Sequence, residues 1–158
     1  MLTTSRFLRM VSFVLGLLLI ISAAVADTTK QIVLENASFR YVIGADARNV
    51  AFLDRATGSN YLRSGDAAPC ALIQTGGKSQ PATVATFSRG RLTLRFGDSG
   101  VKAVLKTESR PSHVTFTVES IRGGEVEALT FLNIPLTLNG APSEPFGACA
   151  LSLNLFTR

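Results

Sequence analysis

The alternation of apolar and polar side chains through the centre of the chain constrains its fold more than any other feature. In Arg91-Leu92-Thr93-Leu94-Arg95-Phe96, the apolar residues Leu92, Leu94 and Phe96 fall at every second position. Val101, Ala103 and Leu105 repeat that spacing against Lys102 and Lys106. Val114, Phe116 and Val118 repeat it against His113, Thr115, Thr117 and Glu119. A period of two places successive side chains on opposite faces of a strand, whereas a helix needs a period of about 3.6. Each run therefore predicts a β-strand with one buried face. The runs are separated by Arg89-Gly90, Gly97-Asp98-Ser99-Gly100, Ser109-Arg110-Pro111-Ser112 and Arg122-Gly123-Gly124, which supply the residue types of tight reversals. Residues 82–133 are expected to form an antiparallel meander.

The flanking sequence fits the same plan. Residues 31–35, 39–43, 50–54 and 70–75 read as short strands. Tyr61-Leu62 follows the turn Arg55-Ala56-Thr57-Gly58, and Gly76-Gly77 ends the strand at 70–75. Residues 125–134 are apolar on both faces (Val126, Ala128 and Leu132; Leu129 and Phe131), the pattern of a strand covered on both sides. Many short strands with polar turns predict an all-β fold, an antiparallel β-sandwich. Residues 146–158 (FGACALSLNLFTR) read as a half-buried strand without a closing turn. A strand left in that state exposes unpaired backbone. The sandwich, residues 27–158, is therefore expected to be incomplete at its C-terminus, and residues 151–156 to need a further β edge.

The N-terminus reads as a secretory leader. Arg6 and Arg9 precede an apolar run over residues 11–21, followed by Ala24-Val25-Ala26, a small-x-small cleavage pattern. The run falls short of the roughly 20 apolar residues of a membrane-spanning helix. A signal-peptide helix over residues 1–26, cleaved after Ala26, is expected, with a secreted or periplasmic product that meets the membrane only through that segment. Cleavage removes Arg6 and Arg9 and no acid, taking the net charge from +5 to +3. That mild excess argues against a nucleic-acid partner, which calls for a concentrated basic patch.

The cysteines, Cys70 and Cys149, both lie in apolar, strand-like runs. Export permits a disulfide between them. Burial as free thiols, packing like small hydrophobes, is the equal alternative. Neither thiol has a ligand cluster around it, so no metal site is expected, and no phosphate loop or other cofactor motif occurs.

A resemblance to a known family enters near the start. Ile32-Val33-Leu34-Glu35-Asn36-Ala37-Ser38-Phe39-Arg40-Tyr41-Val42-Ile43, followed by Val50-Ala51-Phe52-Leu53-Asp54-Arg55-Ala56-Thr57-Gly58-Ser59-Asn60-Tyr61-Leu62, resembles the opening of bacterial glycoside-hydrolase-like proteins. In those proteins an N-terminal β-sandwich of the galactose-mutarotase-like (supersandwich) type precedes a catalytic domain. The resemblance implies a non-catalytic sandwich that packs against a downstream carbohydrate-active domain. The motif residues themselves read as architectural: Asn36 and Asp54-x-x-Thr57-Gly58 suit tight reversals. Asn36-Ala37-Ser38 also matches an N-glycosylation acceptor.

Mutarotase-like enzymes use a pair of histidines with a glutamate, and this chain has a single histidine, His113. Glycosidases need two carboxylates flanking the bond. Asp54, Glu108, Glu119, Glu125 and Glu127 are available, but most fall beside turns or on outward strand positions, so no catalytic residue is assigned. The outward residues Arg91, Arg95, Lys102, Lys106 and His113 could share one sheet face. Of these, Arg91, Arg95, Lys102 and His113 are the candidates for binding an acidic polysaccharide. Their ordinary alternative is a solvated face whose cations pair with Glu108 and Glu119 and discourage edge pairing. Three functions are thus open: a sandwich serving a catalytic domain, a stand-alone carbohydrate-binding module, and a structural or adhesion domain.

Overall fold

The computed structural model describes residues 30–65 and 67–153, and the leader expected over residues 1–26 lies outside them. The described chain is all-β, with no helix. Its strands are β1 (Ile32–Glu35), β2 (Phe39–Ile43), β3 (Asn49–Asp54), β4 (Ala71–Thr75), β5 (Lys78–Ser88), β6 (Arg91–Phe96), β7 (Lys102–Ser109), β8 (Val114–Arg122) and β9 (Ala128–Phe131). They form two antiparallel sheets: β1-β2-β3, and a larger one ordered β8-β7-β6-β5-β4-β9.

Turn chemistry sets the register of the larger sheet. Arg89 (φ 51°) and Gly90 (φ 73°) link Ser88 to its partner Arg91, and Gly76 (φ 54°) and Gly77 (φ 71°) link Thr75 to Lys78. Two consecutive positive φ values make the two-residue hairpin turn whose twist matches that of the strands. Tight connections of this kind leave the apolar alternation in phase. Leu92, Leu94, Phe96, Ala103 and Leu105 all point inward and are buried.

The sheet cannot lie flat. Six strands at about 4.8 Å per neighbour would hold the outer edges about 24 Å apart. The connection from Arg122 on β8 to Ala128 on β9 joins those two edges in six residue steps, at most about 21 Å even when fully extended. The sheet therefore coils. The rings of Phe116 (β8) and Phe131 (β9) meet edge-to-face at 4.9 Å. The smaller sheet packs onto the concave side. Ile32, Leu34, Tyr41, Ile43 and Phe52 enter one core with Ile73, Ala85, Leu92, Leu94, Phe96, Ala103 and Leu105. Backbone hydrogen bonds join the two sheets at both ends: Ala37 N–H to Pro111 O at 3.2 Å, and Ala85 N–H to Ala45 O at 2.8 Å.

Two expectations about the chain's second half are corrected. The meander ends at Arg122. Residues 125–134 yield only the short edge strand β9, which pairs with β4, buries one face partly and leaves the other exposed. Coiling brings β4's free edge nearer than a flat sheet would suggest, so the chain pairs there. Of the strand expected over residues 146–158, residues 146–153 form none, and residues 154–158 lie outside the described residues. Phe146 packs on Tyr61 at 5.2 Å and Phe52 at 6.2 Å, after which Leu151 (78 % exposed) and Leu153 (77 %) lie in solvent.

Candidate functional site

The outward face of β6, β7 and β8 carries the cations that the sequence singles out, and the register sorts them into separate rows. Arg91 stands opposite Lys106, and Arg95 opposite Lys102. Residues directly opposite share a face, so these four basic side chains do lie on one surface. Their surroundings differ. Arg91 Nε donates to Glu119 Oε2 at 2.7 Å and its Nη2 to Glu119 Oε1 at 3.2 Å, a bidentate pair that raises the guanidinium pKa further. Lys106 Nζ lies 2.5 Å from Glu108 Oε1, and that hydrogen bond holds the Glu108 carboxyl below its usual range. The Arg91–Lys106 row is thus neutralised, as the ordinary reading of a solvated face requires.

Glu119 reaches Arg91 because of a β-bulge. Val104 pairs with Ser120 but Leu105 pairs with Val118, so Glu119 is the extra residue. A bulge inserts one residue and reverses the in–out phase beyond it. Glu119 turns toward Arg91, and beyond it Ile121 points inward and Arg122 outward. Arg122 consequently stands opposite Lys102. Sequence reasoning missed it: Arg122 reads as part of the Arg122-Gly123-Gly124 turn, and only the phase shift reveals its place. The second row is Arg95–Lys102–Arg122. Among the described residues, no carboxylate makes an ion pair with any of the three.

His113 does not join this row. It lies in the β7–β8 turn, where its carbonyl accepts from Arg110 N–H at 2.8 Å and its Nδ1 lies 3.0 Å from Ser112 Oγ. That turn follows Ser109, seven residues along β7 from Lys102, a separation of roughly 23 Å at the strand rise. His113 and the Arg95–Lys102–Arg122 row therefore occupy opposite ends of the face.

The acids are held in structural roles. Asp54 Oδ1 accepts from Ala56 N–H at 2.9 Å and Oδ2 from Thr57 Oγ1 at 2.7 Å. These bonds, led by that from Thr57, lower its pKa. Glu127 Oε1 accepts from Gly77 N–H at 3.0 Å, clamping the β4–β5 turn, so Glu125 and Glu127 do not form a free pair. Among the described residues no cluster of three His, Cys, Asp or Glu side chains could hold a metal ion. Asn36 is buried. Its Oδ1 accepts from Ser38 N–H at 2.8 Å and Phe39 N–H at 2.9 Å, while its Nδ2 is enclosed without a partner. A glycan on that nitrogen is incompatible with this packing.

Cys70 and Cys149 are free thiols, the first fully buried and the second exposed. Burial pushes the Cys70 thiol up to about 12. Under native, non-reducing conditions, a thiol reagent at mildly alkaline pH is expected to modify Cys149 promptly and Cys70 only after denaturant is added. Detection of no reactive thiol even after unfolding would show the disulfide instead.

No protein-family model, curated protein or solved structure matches the chain.

Proposed function

We propose that this chain is a non-catalytic, N-terminal β-sandwich of a secreted or periplasmic glycoside-hydrolase-like protein, and that its β8 border packs against a carbohydrate-active catalytic domain. The observation that carries the docking reading is the open inner face of β8. Val118 pairs with buried Leu105, and Ile121 with buried Ala103, so both point toward the core side. Yet Val118 is 50 % exposed and Ile121 37 %, because the smaller sheet does not extend over them. Exposed apolar side chains on the inner face of an edge strand suit a docking surface. The resemblance of residues 32–62 to the opening of glycoside-hydrolase-like proteins supplies the carbohydrate connection and the finer, galactose-mutarotase-like (supersandwich) assignment.

The test is the DNA beyond the Arg158 codon. An in-frame continuation that encodes more strands and then a catalytic domain supports the reading; a native stop codon overturns it. With such a domain in hand, Val118→Ser with Ile121→Ser is expected to lower the stability of the sandwich alone by about 2 kcal/mol, since Val118 is half exposed and Ile121 37 % exposed there. The same pair should abolish co-purification of the two separately expressed domains.

A further inference from the structure

We infer that the Arg95–Lys102–Arg122 row is a binding site for an acidic polysaccharide, a polymer bearing repeated carboxylate or sulfate groups. The three cations come from three adjacent strands in direct register, with Arg95 opposite Lys102 and Lys102 opposite Arg122. Neighbouring strands lie about 4.8 Å apart. Like charges directly opposite one another destabilise a sheet. The other cation row on this face is neutralised by Glu119 and Glu108, whereas this one has no ion-pair partner among the described residues. Asp98 in the β6–β7 turn and Glu125 in the β8–β9 connection belong to the same end of the sheet, and neither forms an ion pair with it.

The row is exposed and follows the convex curve of the sheet. It continues onto β5 at Val84, which stands opposite Arg95 and is 43 % exposed. An apolar shelf beside a line of cations suits a sugar ring that presents a C–H face and an acidic group together. The next row inward is Thr86, Thr93, Val104 and Ser120, with no aromatic ring. Single-stranded nucleic acid binds through aromatic stacking platforms as well as charge, so this face favours an acidic glycan over a single-stranded polynucleotide. The inference is independent of the docking reading, since it uses the convex face of the sheet and not the inner side of β8.

The test uses polygalacturonate as probe, with dextran as the neutral polymer and a single-stranded DNA oligomer as the polynucleotide, each titrated into the purified protein at low salt. Polygalacturonate is expected to bind and to raise Tm, with affinity falling as salt rises. Arg95→Gln and Arg122→Gln should each weaken binding about tenfold, the loss of one charge-assisted contact. Both variants relieve repulsion and should melt no lower than the parent, so lost binding cannot be put down to misfolding. Arg91→Gln combined with Glu119→Gln, which removes a neutral pair and keeps the net charge, should leave affinity unchanged. Equal binding of dextran, tighter binding of the DNA oligomer, or undiminished binding by both Arg95→Gln and Arg122→Gln would each overturn the assignment.

Discussion

Gly123→Ala is expected to lower stability by about 3 kcal/mol or more, the largest effect of an alanine at any of the described glycines. Gly123 adopts φ +96°, and a Cβ there would sit 2.1 Å from Gly100 O, 2.8 Å from Gly100 C and 3.3 Å from Val101 Cα. All three are backbone atoms, so no side-chain rotation relieves the clash. The left-handed conformation costs an L-residue about 1–2 kcal/mol, and forced displacement in a packed region adds about 1–3 kcal/mol. At about 2–4 °C per kcal/mol for a chain of this size, Tm should fall by about 10 °C. Gly140→Ala is the control. Its φ is +73° with nothing within 4 Å of the added carbon, so only the conformational cost applies. The contrast has a functional side as well. The close approach of Gly123 to Gly100 holds the end of β8 against the start of β7, where Arg122 stands opposite Lys102. Gly123→Ala should therefore weaken polygalacturonate binding more than Gly140→Ala does.

The second large effect lies in a buried polar network. Tyr41 and Asn49 are almost fully buried, and the Tyr41 hydroxyl donates to Asn49 Oδ1. Asn49 Nδ2 donates to Ala68 O at 2.9 Å and to Asn133 O at 2.8 Å. Asn133 Nδ2 in turn donates to Pro69 O at 2.8 Å. One amide thus ties β2, β3, the loop before β4 and the segment after β9. Asn49→Ala deletes three hydrogen bonds and strands buried partners, at a cost of about 3 kcal/mol. Tyr41→Phe removes one donor and should cost about 1–2 kcal/mol. The double variant should cost less than the sum, because the two side chains share one bond. Urea midpoints for the set check all three expectations. Burial also raises the Tyr41 hydroxyl pKa well above the ordinary phenol value. Its phenolate absorbance should therefore appear only with unfolding.

The strand pattern was legible where a period of two ran between tight turns. β2 matches its expected bounds, and the buried faces of β6 and β7 follow the alternation residue by residue. What alternation cannot encode is which edge a later strand joins. β9 follows β8 in the chain but pairs with β4, because the coiled sheet brings its two edges within one short connection. The tail shows the same limit: Leu151 and Leu153 alternate with Ser152 as a strand would, yet they have no partner strand among the described residues and stay exposed.

The site divides in the same way. The outward positions of Arg91, Arg95 and Lys102 were readable, since they occupy the polar phase of their strands. Their separation into a neutralised row and an open one was not, because it depends on the bulge at Glu119, and bulges leave no fixed mark in a sequence. His113 shares the outward phase of the cations in the sequence. Its distance along β7 and β8 removes it from the open row.

β8 is unpaired along one backbone edge and its inner side is open at Val118 and Ile121, a border that the proposed downstream domain would close. Hydrogen exchange resolved by strand, on the purified protein without its leader, tests that reading. Amides on the outer edge of β8 are expected to exchange well ahead of those of β6, which is paired on both sides, and to slow when the downstream domain is added. Protection of the whole of β8 equal to that of β6 in the protein alone would contradict it.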